Sequence, residues 1–190
     1  MSNVLMREDG GVCVLADLGL AVSSSSPILE RPITSAYYRA PEACFPEVPA
    51  SFQQTAFDLW SYGVLLAALW TGTFLFQITS EVGTELENQT VFQKIVAVMG
   101  WPEEVWPEFP QWLEKRKALQ LPKEQKPFQD LLRSKAMRRP LGKWPEIVDL
   151  IASLVVWNPK MRASAEQCLQ HDLWGMDFKV LWSPAVQGLP

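Results

Sequence analysis

Three short stretches decide the fold of this chain: Asp17-Leu18-Gly19, Ala40-Pro41-Glu42 and Asp58-Leu59-Trp60-Ser61-Tyr62-Gly63. Each is short enough to arise by chance, so none is informative alone. Their order and spacing, with Asn3 before the first and Arg162 far beyond the last, are much more specific. Taken together, the motifs are therefore informative about the fold.

The residues around the first motif predict a small β-hairpin. Two short apolar runs, Val4 to Met6 and Val12 to Leu15, flank a turn that contains two glycines. Such a pair of runs around a glycine-rich turn is typical of antiparallel strands. The hairpin would bring its two ends, near Asn3 and Asp17, to the same place.

Helical patterns dominate the rest of the chain. Ala56 to Trp70 is apolar almost all round, which predicts a buried helix. Residues 85–99 follow a helical spacing that Gly100 ends, and residues 101–145 predict short helices joined by loops. Another helix starts at Pro145 and shares one apolar face, formed by Ile147, Leu150, Ile151 and Leu154. Ser164 and Gln167 fit a capping box at the start of the last helix.

Composition excludes several classes of protein. A chain of 190 residues, 48% hydrophobic and with nine tryptophans, forms one domain or a large part of one. A net charge of −4 without a basic run argues against nucleic-acid and membrane-surface binding. Three distant cysteines and a single histidine argue against a disulfide framework and a zinc site. These features favour an intracellular location, in the cytoplasm or the nucleus.

One uncharged stretch, Leu59 to Ile78, is long enough to cross a bilayer. It contains several polar residues, and no cluster of Lys or Arg flanks it. We therefore interpret it as a buried helix of a protein that does not associate with membranes.

The three motifs resemble the C-terminal lobe of eukaryotic protein kinases. Tyr37-Tyr38-Arg39 is similar to the Trp-Tyr-Arg of the branch with cyclin-dependent and mitogen-activated kinases, and the segment from Ser80 to Pro107 is similar to cyclin-dependent kinase relatives. The resemblance implies an α+β fold: a kinase C-terminal lobe only, mainly α-helical with a small β-hairpin. It covers residues 1–178, and residues 179–190 form a tail.

The resemblance implies a site for ATP and Mg²⁺. Asp17 and Asn3 match the two metal ligands of the family, and Gly19 belongs to the same cofactor-binding motif. Leu18 replaces the usual Phe and keeps an apolar side chain there. Carboxylate and amide oxygens are the hard ligands that Mg²⁺ prefers.

Further roles follow from the same resemblance. Arg39 would help form a substrate pocket that favours proline after the target residue, and Ser35 would position the catalytic loop. Glu42 and Arg162 would form a buried ion pair, and Asp58 would tether the catalytic-loop backbone. These last three residues are structural.

The sequence also departs from the family. The position of the activating phosphothreonine holds Glu30, and that of the neighbouring tyrosine holds Pro32. Glu30 either replaces part of the phosphate's charge or is a solvated glutamate in a variable loop, which is the preferred interpretation. His171, in a sequence that resembles the end of the kinase domain, is expected to be structural or exposed.

Phosphoryl transfer in this family also needs a glycine-rich loop, a lysine and a catalytic aspartate. The aspartate would lie five residues before Asn3, ahead of the first residue of this chain. We therefore expect a partial Ser/Thr protein kinase domain that is inactive alone. Its parent would transfer the ATP γ-phosphate to a protein substrate, with a cyclin-like or other regulatory partner. The alternatives are a non-catalytic, pseudokinase-like interaction module and, less in keeping with the sequence, a membrane-anchored protein.

Overall fold

The computed structural model describes residues 3–6, 13–21, 23, 34–45, 55–78, 85–100, 128–136 and 145–175. In chain order its elements are β1 (Val4–Met6), β2 (Cys13–Leu15), α1 (Thr55–Thr71), α2 (Glu85–Met99), α3 (Phe128–Ala136), α4 (Pro145–Leu154) and α5 (Ala165–Leu169). Short 3-10 helices lie at Ala36–Tyr38, Pro41–Cys44, Pro159–Met161 and Asp172–Gly175. The expected α+β class, mainly helical with one hairpin, is confirmed.

The two strands pair antiparallel, with Val4 opposite Leu15 and Met6 opposite Cys13. One further backbone bond, from Ala16 N to Asn3 O at 2.9 Å, extends this register beyond the strands. The predicted hairpin is therefore present, and its open end carries Asn3 next to the Asp17 motif.

Helix α1 is the centre of the helical body and packs on α3 and α4. Its inward side chains, among them Trp60, Val64 and Ala67, are fully buried. Gly63 makes the contact with α4 close: a Cβ placed there would lie 2.7 Å from the Cβ of Leu154. The prediction of a buried central helix over 56–70 is confirmed with one more residue at each end.

Two glycines end the first two helices. Gly72 and Gly100 have φ values of 71° and 84°, and their N–H groups donate to Ala68 O and Val96 O. This left-handed conformation is easily adopted only by glycine and satisfies carbonyls that the helix end leaves free. The predicted end of the second helix at Gly100 is confirmed.

The last helix begins at the predicted capping box. Ser164 Oγ accepts the Gln167 N–H at 3.2 Å, and the Gln167 side chain accepts the Ser164 N–H at 2.8 Å. Beyond α5, His171 Nδ1 accepts the Leu173 N–H at 3.2 Å, which is the structural role expected of this histidine.

The buried side chains form one large cluster and one small cluster. The large cluster contains residues from each of the helices α1, α2, α3 and α4 and from around Pro41–Cys44. Its largest members include Trp60, Phe76 and Phe92. The small cluster consists of Leu150, Leu154, Cys168 and Leu173. These apolar contacts drive the assembly of the helical body, because each buried side chain loses its contact with water.

Two exclusions made from the sequence can be compared with the structure. In the described ranges no helix is long and apolar enough to cross a membrane. Cys13, Cys44 and Cys168 are all free thiols. Glu30, Pro32, the tail over 179–190 and most of the segment 101–145 lie outside the described residues.

Candidate functional site

Asn3 and Asp17 meet at the open end of the hairpin. The Nδ2 of Asn3 donates to Oδ2 of Asp17 at 3.4 Å, and both side chains are exposed. The strand register produces this contact, because it aligns the residue before β1 with the residues after β2. A carboxylate and an amide 14 residues apart in sequence are thus adjacent in space.

The backbone of Asp17 adopts an unusual conformation. Its φ is 62°, the one positive φ of a non-glycine residue in the described part of the chain. Such residues are strained by about 1–3 kcal/mol and concentrate at functional sites. A Cβ placed at Gly19 would lie 3.7 Å from Oδ1 of Asp17, an ordinary van der Waals distance, so Gly19 lies close beside the carboxylate.

The pair fits a magnesium ion in its donor chemistry. Each residue carries a hard oxygen atom, one in a carboxylate and one in an amide, and both side chains are exposed. Mg²⁺ is usually held by such oxygens together with phosphate oxygens and water. Over the described ranges, no group of three or more His, Cys, Asp and Glu residues could hold a metal. Asn3 and Asp17 could supply two ligands, and water and phosphate would complete the shell.

Arg39 lies between the segment 34–38 and helix α2. Its Nη2 donates to the Thr34 carbonyl at 2.8 Å and lies 3.3 Å from Glu87 Oε1. Its Nη1 donates to Asn88 Oδ1 at 2.8 Å. The guanidinium, proposed from the sequence as part of a substrate pocket, is therefore held by both the segment and α2.

Two hydroxyl groups form further hydrogen bonds between this segment and the rest of the protein. Tyr37 OH donates to the Ile78 carbonyl at 3.1 Å, and Ser61 Oγ donates to the Tyr38 carbonyl at 3.0 Å. Ser35 lies at the start of the Ala36–Tyr38 turn with an exposed side chain that makes no capping hydrogen bond. Its predicted role in positioning a catalytic loop stays a prediction.

Glu42 and Arg162 form a buried, two-pronged ion pair. Nη1 and Nη2 of Arg162 donate to the two carboxylate oxygens at 2.5 and 2.6 Å, and both side chains are almost fully buried. The structure thus brings together the two residues that the resemblance paired. The pair joins the Pro41–Cys44 turn to the residues that follow α4.

Asp58 lies in the first turn of α1 at an exposed position. No described residue forms a hydrogen bond with its side chain. Partial shielding by neighbouring atoms raises the pKa of its carboxyl, although solvent contact limits the effect. The predicted tether to a catalytic loop stays a prediction.

The sequence assigned no individual role to several residues of this region. These residues hold Arg39 or the turn beside it, and they are Thr34, Tyr37, Ser61, Glu87 and Asn88. Only the local Tyr-Tyr-Arg pattern marked the segment. The contacts with α2 span 48 or more residues, and no local periodicity predicts them.

The chain was compared with protein families and solved structures. Residues 1–174 match the family model described as the protein kinase domain. Cyclin-dependent kinase F-3 of Oryza sativa subsp. japonica is 33% identical over 188 residues, covering 92% of this chain and 36% of that protein. The chain thus spans about a third of the length of this relative.

Two solved structures have a similar fold. The yeast RNA Pol II CTD kinase CTDK-1 complex contains a chain with a TM-score of 0.73 and 23% identity, over 93% of this chain and 54% of that one. The CAK complex from Chaetomium thermophilum, bound to ATP-gamma-S, gives a TM-score of 0.65 and 28% identity, over 92% and 50% of the two chains. With the family match, these similarities show that the chain belongs to the protein kinase family, in its cyclin-dependent kinase-like branch.

Proposed function

We propose that this chain supplies the magnesium-holding and peptide-facing parts of a Ser/Thr protein kinase. The parent protein transfers the γ-phosphate of ATP to Ser or Thr in protein substrates. The observation that carries the proposal is the contact between Asn3 and Asp17 across the hairpin. This contact supports the proposal because each of the two residues carries one of the hard oxygen atoms that the family's chemistry needs.

The residues at the hairpin end would hold and orient the nucleotide's metal. A bound Mg²⁺ supplies neutralisation of the phosphate charge. Asp17 carries a carboxylate and Asn3 an amide oxygen that could hold it, and the backbone of Asp17 has a φ of 62° where the hairpin ends.

The segment 34–38 supports a preference for proline after the phosphorylated residue. Most of its carbonyl groups already accept an internal hydrogen bond: those of Thr34, Ser35, Ala36 and Tyr38. A bound peptide would therefore find few acceptors for a backbone N–H in this segment. Proline has no N–H to leave unsatisfied, so it loses least on binding there.

Activity requires parts that this chain does not provide by itself. The catalytic aspartate, the lysine and the glycine-rich loop of the family have no counterpart in the sequence. We propose that the chain alone is inactive. The parent would act with a cyclin-like or other regulatory partner, in keeping with the name of its relative.

The proposal is tested by measuring phosphate transfer by the longest naturally occurring protein that contains this chain, which is called the full-length protein below. With labelled ATP, Mg²⁺ and Ser-Pro peptides, the wild type should transfer phosphate, and Asp17→Asn should lower kcat by about a thousandfold. Asp130→Asn, on the exposed side of α3, removes one carboxylate away from the hairpin and serves as the matched control.

The outcome separates the kinase from the alternative. Equal activity of the wild-type full-length protein and its Asp17→Asn variant would contradict the proposed metal role. If the wild-type full-length protein transfers no phosphate, the result favours a non-catalytic, pseudokinase-like interaction module instead.

A further inference from the structure

Helix α2 holds the guanidinium of Arg39 with two neighbouring residues. Asn88 accepts a hydrogen bond from Nη1 at 2.8 Å, and Glu87 lies 3.3 Å from Nη2. Glu87 is 4% exposed, so its carboxylate lies in a site from which water is largely excluded. Electrostatic contacts are stronger in such a site than in water.

We propose that Glu87 and Asn88 are positioning residues that set the peptide preference by holding Arg39 on the Thr34 carbonyl. This inference rests on the proposed kinase function. It extends the specificity device from the substrate-facing segment to α2, whose residues would not touch the peptide.

The geometry of the guanidinium explains why anchors matter. Its N–H groups lie in one plane as a rigid fork, at the end of a side chain that otherwise moves among many rotamers. Asn88 holds one arm of the fork, and Glu87 and Thr34 share the other. With the arm on Asn88 released, the bond to the Thr34 carbonyl no longer has a fixed direction.

The state of the Thr34 carbonyl then decides which peptides bind well. While Arg39 occupies it, a peptide N–H has no partner there, and a residue without an N–H is favoured. Once Arg39 moves away, the carbonyl can accept that N–H, and peptides without proline gain a hydrogen bond. Among the described residues, the Thr34 hydroxyl is buried and has no hydrogen-bond partner, so none of them holds this hydroxyl in place when Arg39 leaves.

The two anchors differ in what their removal does. Glu87→Gln removes a buried charge beside a cation, which also strains the fold. Asn88→Ala removes a neutral acceptor and leaves the charges unchanged. Asn88→Asp keeps an oxygen at the same place and is the conservative variant. Gln89→Ala alters an exposed residue of the same helix and is the control.

The test uses the longest naturally occurring protein that contains this chain. Its substrates are two peptides that differ only in having Pro or Ala after the target Ser. The measured quantity is the ratio of kcat/KM for the two peptides. This ratio does not depend on the fraction of enzyme that is folded, because both values come from one preparation. The wild type should prefer Pro, and Asn88→Ala and Glu87→Gln should lower the ratio about tenfold.

Asn88→Asp and Gln89→Ala should keep the wild-type ratio within about twofold. An unchanged ratio in Asn88→Ala overturns the inference. This includes an equal loss of activity with both peptides, which would indicate a purely structural role. A wild type that is active without preferring Pro overturns this inference and the proposed proline preference, but not the proposed kinase activity. A wild type that phosphorylates neither peptide overturns the proposed function and this inference together.

Discussion

The guanidinium of Arg162 uses all five of its N–H groups, two of them on the carboxylate of Glu42, 120 residues earlier in the chain. The other three reach backbone carbonyls, those of Ala56, Val156 and Trp157. Its carbon also lies 4.9 Å from the ring centre of Trp60. One side chain therefore links the Pro41–Cys44 turn, the start of α1 and the residues after α4.

Removing one partner of this pair should strongly destabilise the protein. Arg162→Met leaves the Glu42 carboxylate buried without a counter-charge, which typically costs about 3–5 kcal/mol. Urea unfolding followed by tryptophan fluorescence measures the change in the free energy of unfolding. Arg133→Met is the control, because Arg133 and Asp130 form an exposed pair 3.5 Å apart, worth under about 1 kcal/mol. Equal effects of the two variants would mean that the buried pair does not hold the fold together.

Gly63→Ala should destabilise the protein despite the higher helix propensity of alanine. The new Cβ would lie 2.7 Å from Leu154 Cβ and 2.8 Å from Val155 Cγ2, so α1 and α4 must move apart. Such overpacking costs about 1–3 kcal/mol, against a gain of about 1 kcal/mol from propensity.

The reverse exchange on an exposed helical site gives the reference for Gly63→Ala. Ala97→Gly, on the exposed side of α2, should cost about 1 kcal/mol through propensity alone. Thermal unfolding of both variants and the wild type compares the two effects. A higher Tm in Gly63→Ala would show that the close approach of α1 and α4 is wrong.

The cysteines should differ in reactivity. Cys13 is exposed on β2, whereas Cys168 is buried, and burial raises the pKa of its thiol. Only the thiolate reacts with alkylating reagents, so at pH 8 iodoacetamide should modify Cys13 at least about tenfold faster than Cys168. Mass spectrometry of the digested protein gives both rates. In urea the two rates should become similar, and equal rates in the native protein would contradict the buried position of Cys168.

The same pKa shift determines the sign of an alkaline effect on stability. The native state keeps a proton on Cys168 that the unfolded chain releases above its pKa of about 8.5. The contribution of this thiol to stability is therefore present below that pH and is lost as the pH rises. The slope of the free energy of unfolding above pH 8.5 should be smaller in Cys168→Ala than in the wild type. Equal slopes would show that this thiol has no part in the alkaline effect.

Local patterns explain why much of the fold could be predicted from the sequence. The helix over 85–99 has a clear apolar period and a terminal glycine, and the hairpin has two apolar runs around a glycine turn. The pairing of Glu42 with Arg162 came from family resemblance, since no local rule connects such distant residues.

The contacts of Arg39 could not be predicted in the same way. They depend on how α2 packs against the segment 34–39, and a long side chain chooses its partners only after that packing is set. Asp adopts a positive φ more often than most residues, but no local pattern predicts that Asp17 has a φ of 62°. Both features arise from tertiary structure, and both belong to the candidate site.

The most direct test of the central claim concerns the pair Asn3 and Asp17. Mn²⁺ replaces Mg²⁺ at oxygen sites and broadens the NMR signals of nearby nuclei. Titration of Mn²⁺ into the isotope-labelled chain should broaden the amide signals of Asn3, Asp17 and Gly19 first. Asp17→Asn should abolish this selectivity, and Asp130→Asn should leave it unchanged. Broadening that ignores the hairpin end, or that is the same in Asp17→Asn, would contradict a metal site at these residues.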